Sequence, residues 1–137
     1  MPRAAVALVV ALMIAIGGCG DEFDGRERPA PITLQASVTP RAVTVAPASI
    51  GAGPIELVVR NLTPASLQVT LRSEALSAGT APLQQSTGPI NPGDTGALSA
   101  ELVQGTYRIT TSPATTTPAR IRVGPQRSSA PDQLLQP

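Results

Sequence analysis

The sequence has no lysine, no histidine and no tryptophan, and among its 137 residues there is a single cysteine, Cys19. Each absence removes a class of chemistry. Without imidazole or ammonium there is no Ser-His or Ser-Lys nucleophile pair, no Schiff-base lysine, no P-loop and no histidine metal site. Aromatic rings are nearly missing too, with one Phe, Phe23, and one Tyr, Tyr107. A nucleic-acid surface needs a basic patch and usually stacking platforms, so a net charge of +1 with so few rings excludes that partner. What the chain does have is 12 Gly, 15 Pro and 42% hydrophobic residues against 14% charged, the composition of one small domain with much turn and linker.

The N-terminus carries the clearest signal. Arg3 gives a positive start, Ala4 to Ile16 is an uncharged run of 13 residues, and Gly17-Gly18 places small residues before Cys19. This is the layout of a secretory signal peptide, over residues 1–18. A helix of that length reaches about 20 Å, short of the roughly 30 Å hydrocarbon core, so cleavage is expected rather than a permanent span. Ile16-Gly17-Gly18-Cys19 resembles the lipobox of bacterial lipoproteins. The resemblance implies that Cys19 is acylated, becomes the new N-terminus and holds the chain to the extracytoplasmic face of a cell membrane. Multiple acyl chains anchor firmly where a single one does not. Loss of Arg3 would leave nine arginines against nine carboxylates, a formal charge of zero that indicates no electrostatic binding to membrane or polymer.

Residues 19–31 then read as acylated Cys and solvated tether, with charge, Gly and Pro throughout. Its Asp21-Glu22-Phe23-Asp24-Gly25 cluster lacks the alternating oxygen ligands and distal Glu of a calcium loop. Residues 124–137 show no periodicity and are expected to form a disordered tail.

Between them, residues 32–123 alternate apolar with polar, the period of half-buried strands. Candidate strands are Ile32–Val38, Val43–Val45, Ile55–Arg60, Leu67–Arg72, Ala97–Leu102, Thr106–Thr110 and Ala119–Val123. Thr39-Pro40, Gly51-Ala52-Gly53-Pro54, Asn61-Leu62-Thr63-Pro64, Asn91-Pro92-Gly93-Asp94 and Gln104-Gly105 supply turns. Ser73 to Ala78 could form one helical turn capped by Ser73. The pattern predicts an all-β, antiparallel Greek-key β-sandwich of about seven strands, with Ile55, Leu57, Val59, Leu67, Val69, Leu71, Tyr107, Ile109, Ile121 and Val123 inside. Glu56, Arg60, Gln68, Thr70, Arg108, Arg120 and Arg122 are expected to face out.

The order of these pieces resembles the cupredoxin family. Val43 to Asn61 looks like its opening strand, turn and second strand ending in Asn, while Gly88 to Thr95 and Leu102 to Ile109 are similar to its "PG" loop and "L-x-x-G-x-Y" strand. Members that bind copper use a His a few residues after that Asn, then Cys, His and often Met in the loop before the last strand, a soft ligand set. Aligned on Asn61, the first position falls at about Leu67, and the later ones fall within Thr111 to Pro118. The resemblance therefore implies a copper-free domain with no metal and no cofactor.

No enzyme is expected. Glu56, Glu74, Asp94 and Glu101 are the available acid/base groups, the first and last at outward positions and the others in turn-rich segments, and a glycosidic pair must sit within about 5–9.5 Å in a cleft. Tyr107 is expected to be a core or corner residue with its hydroxyl bonded to backbone. Residues 110–118 read as a flexible loop whose Thr residues continue the flanking strands, with O-glycosylation as the alternative. Two functions stay open: a membrane-anchored binding or assembly module for an envelope protein or small ligand, and an accessory protein in metal handling or envelope redox chemistry.

Overall fold

The computed structural model describes residues 28–128. The expected signal peptide, Cys19, the expected tether through residue 27 and the expected tail from residue 129 lie outside the described residues. Eight strands follow in order: β1 (Ile32–Val38), β2 (Val43–Ala46), β3 (Ser49–Asn61), β4 (Gln68–Leu76), β5 (Gln84–Ser86), β6 (Thr95–Leu102), β7 (Gly105–Ser112) and β8 (Ala119–Gln126). Alternation builds them. In β1 the inward set is Leu34, Ala36 and Val38, and in β3 it is Ile55, Leu57 and Val59, all buried. Every residue expected inside joins one core, and Glu56, Arg60, Gln68, Arg120 and Arg122 are exposed, with Thr70 and Arg108 half-buried.

One sheet runs β2–β1–β3–β6 and the other β3–β8–β7–β4–β5, so β3 serves both. Its first residues, Ser49–Ala52, pair with β8, which follows the Thr117 bridge to Ala42 and ends beside Ala52. Its remainder pairs with β1 and β6 and ends where Asn61 faces Val38, which in turn faces Val43. The two halves thus run in opposite senses. The reversal falls on Gly53, whose φ of +136° is one that glycine tolerates, so the expected Gly51–Pro54 turn sits inside the strand.

Several details differ from expectation. The pairings β1–β3 and β3–β8 are parallel: the second half of β3 runs with β1 toward Asn61, and its first half runs with β8 toward Gln126. The eighth strand, β5, is wholly exposed Gln-Gln-Ser and has no alternation to betray it. Ser73 to Leu76 is not helical but continues β4 through a bulge between Ser73 and Ala75, since pairing with β7 outcompetes one isolated helical turn. At the far end β8 runs past Val123 to Gln126, and Arg127 bonds to Ala52 O, so residues 124–127 belong to the sandwich and not to the tail expected from residue 124.

Candidate functional site

Four loops meet at one end of the sandwich, joined by bonds from Leu62 N–H to Val38 O (2.8 Å), Asn61 N–H to Asp94 O (3.0 Å) and Val43 N–H to Thr117 O (2.8 Å). Asn61 organises that end. It is fully buried; its amide donates to the carbonyls of Ala65 (2.8 Å) and Ile90 (2.9 Å), and its Oδ1 accepts from the N–H (2.9 Å) and hydroxyl (2.7 Å) of Thr63. Leu67, the position aligned with the first copper ligand, is buried in the core and bridges Ile90. At the end of β7 the Thr111 hydroxyl reaches into the loop before β8, donating to Pro113 O (3.0 Å) and meeting the Thr116 hydroxyl (3.1 Å). Thr110, Thr111 and Ser112 lie in β7 and Thr117 bridges Ala42, so these residues continue the strands as expected.

Tyr107 hooks the opposite turn. It is fully buried, and its hydroxyl donates to Val103 O and accepts from Val103 N–H, each at 3.0 Å. Burial pushes its phenol above the usual range, and the Val103 bond pulls it back only in part.

Two of the four carboxylates, Glu56 and Glu101, line one groove, and Glu74 and Asp94 lie elsewhere. Glu56 and Glu101 are exposed on the outer face of β3–β6, Glu101 opposite Pro54 and Glu56 opposite Ser99, beside an open groove of about 530 Å³. Asp94 lies in the loop before β6. Glu74 departs from expectation: it sits in β4, at the bulge, not in a turn. There it receives Arg120 Nε (2.8 Å) and Nη2 (3.2 Å) and an Nη2 bond from Arg108. The Arg120 and Arg108 bonds hold its carboxyl down at about 2, and Glu74 raises the Arg120 guanidinium in return.

Arg127, a residue with no role assigned from the sequence, straps the lower end. Its Nη1 donates to Ala30 O (3.0 Å), Nη2 to Pro54 O (2.6 Å) and Nε to Ala52 O (3.3 Å), tying the end of the tether to the reversal in β3. A Cβ at Gly51 would lie 2.6 Å from Arg127 Cγ, and one at Gly53 would lie 2.8 Å from Arg127 Nη2. The glycines make room for the guanidinium.

No protein-family model matches the sequence, and no curated protein matches it. Solved structures do. Auracyanin B aligns with a TM-score of 0.53 at 18% identity, covering 72% of this chain and 92% of its own. Auracyanin A, a "blue" copper protein from the green thermophilic photosynthetic bacterium Chloroflexus aurantiacus, aligns with a TM-score of 0.52 at 10% identity, covering 69% of this chain and all of its own. The domain is a cupredoxin-like β-sandwich. Among the described residues no three of His, Cys, Asp and Glu gather as metal ligands, and no helix is long and apolar enough to cross a membrane.

Proposed function

We propose that the chain is an extracytoplasmic lipoprotein, anchored to the cell membrane through acylated Cys19, whose copper-free cupredoxin-like domain is a binding or assembly module of the envelope. One observation carries the copper-free half of this reading: Leu67 is buried hydrocarbon where the family's first ligand would stand. The hydroxyls of Thr111 and Thr116 are hard donors engaged with Pro113 O and each other, and a blue-copper site needs imidazole and thiolate. These residues do not fit copper. The likeness to a "blue" copper protein supports the second reading, an accessory role in metal handling or envelope redox chemistry, only through the fold.

A paired experiment tests both halves. Wild-type protein is expected to fractionate with membranes and yield a lipid-bearing N-terminal peptide at Cys19, and Cys19→Ala to lose both. Residues 20–137 are expected to bind copper no better than a generic acidic surface. A soluble unacylated wild type overturns the anchor, and stoichiometric micromolar copper binding overturns the rest.

A further inference from the structure

The zero formal charge expected after signal cleavage conceals a segregation. The outer face of β4, β7 and β8 carries Arg72, Arg108, Arg120 and Arg122 against Glu74 alone, while Glu56 and Glu101 lie on the other sheet. Arg72 is in register with Arg108, and Arg108 with Arg120, so three arginines stand abreast on strands roughly 4.8 Å apart. Arg122 extends the row along β8, opposite Thr106. Like charges facing each other across strands are unfavourable, and Glu74 relieves only two of the four. Among the described residues Arg72 and Arg122 meet no carboxylate, and Arg108 Nε is buried without a partner.

We propose that this face docks on an anionic phospholipid surface, with Arg72 and Arg122, the two arginines that Glu74 does not engage, pairing with headgroup phosphates. A planar guanidinium grips phosphate bidentately. Headgroups present phosphates across a plane, and the exposed cations are spread across an open sheet surface. The tether strengthens the choice: Gly20 to Pro31 spans at most about 40 Å, so a chain held at Cys19 keeps this face within reach of the bilayer. That last step rests on the anchor reading proposed above, whereas the arginine row does not.

The test therefore uses residues 20–137, which lack Cys19. All core residues lie between Leu34 and Val123, so this chain retains the sandwich, and its result is independent of acylation. Cosedimentation is measured with phosphatidylglycerol-containing vesicles and with pure phosphatidylcholine, at low and high salt. Binding to the anionic vesicles alone is expected, weakened by salt. Each arginine near such a surface is worth about fivefold in partition, so Arg72→Gln with Arg122→Gln lowers binding roughly 25-fold. Glu74→Gln raises it, and Arg60→Gln, on the other sheet, leaves it unchanged. Equal binding to both vesicle types, binding that survives the double substitution, or equal loss on Arg60→Gln overturns the proposal.

Discussion

Replacing Asn61 with Ala removes a fully buried side chain and four hydrogen bonds from the point where β3, the 62–66 loop and the residues before β6 meet. Two of the abandoned partners have another donor. Ala65 O takes the Thr63 hydroxyl, whose single proton no longer goes to Asn61 Oδ1, and Ile90 O still accepts from Leu67 N–H at 3.1 Å. Four bonds are lost and one is regained, so the net loss is three at about 1 kcal/mol each rather than full desolvation, and Asn61→Ala should cost about 3 kcal/mol. For a domain near 100 residues that is a fall of roughly 12–24 °C in Tm, read by circular dichroism. Asn61→Asp sharpens the test, because it keeps the shape but turns a carboxylate toward two carbonyls. Burial and those dipoles raise its pKa above the ordinary value of about 3.9. The folded state then holds a proton that the unfolded state releases, so stability relative to wild type falls as pH rises from about 4 toward neutrality. A cost under about 1 kcal/mol for Asn61→Ala, or an Asn61→Asp penalty that ignores pH, would refute the account.

Arg127→Ala removes three side-chain bonds to carbonyls at a half-buried site and should destabilise by about 2 kcal/mol in urea unfolding, with Arg127→Lys recovering only part because an ammonium lacks the fork. An unchanged midpoint counts against the strap. For Glu74 the folded pKa lies below the ordinary one, so its contribution is fully present above about 4.5 and is lost as pH falls toward about 2. The stability gap between wild type and Glu74→Gln should close over that window, and a gap constant across it would contradict the ion pairs.

Inside and outside were legible because a strand's side chains alternate with period 2, so Val69 and Leu71 could be assigned inward and Gln68 and Thr70 outward without knowing a partner. Tyr107 was legible for a similar reason: a lone ring in an alternating strand belongs in the core, where its hydroxyl needs backbone partners. Position across strands was not legible. Arg72, Arg108 and Arg120 lie far apart in sequence, and only the β4–β7–β8 register sets them abreast. Glu74 was misplaced because a bulge leaves no periodic trace, and β5 was missed because exposed Gln-Gln-Ser does not alternate. Arg127 sits in a segment whose composition reads as tail, yet Gly51 and Gly53, which admit its guanidinium, were visible two residues apart.

The arginine row and the Glu74 bulge are best understood together. A carboxylate has two oxygens and about four acceptor sites, and Glu74 uses them on Arg120 and Arg108. It thereby neutralises the middle of the row and leaves both flanks charged. Stability does not explain such an arrangement, because exposed ion pairs contribute little and an isolated face would be better served by fewer arginines. The Arg120 side chain is 62% exposed, so water screens most of what its pairing with Glu74 gains. What survives screening is the net field of four cations against one anion on a single face, and a field of that kind acts on whatever approaches the sheet. The copper-side loops, by contrast, are closed by Asn61, Leu67 and Thr111, whose polar groups are bonded and whose apolar ones are buried. The docking proposed above therefore belongs to the broad face of the sandwich that carries the arginine row, and not to the end that Asn61 closes.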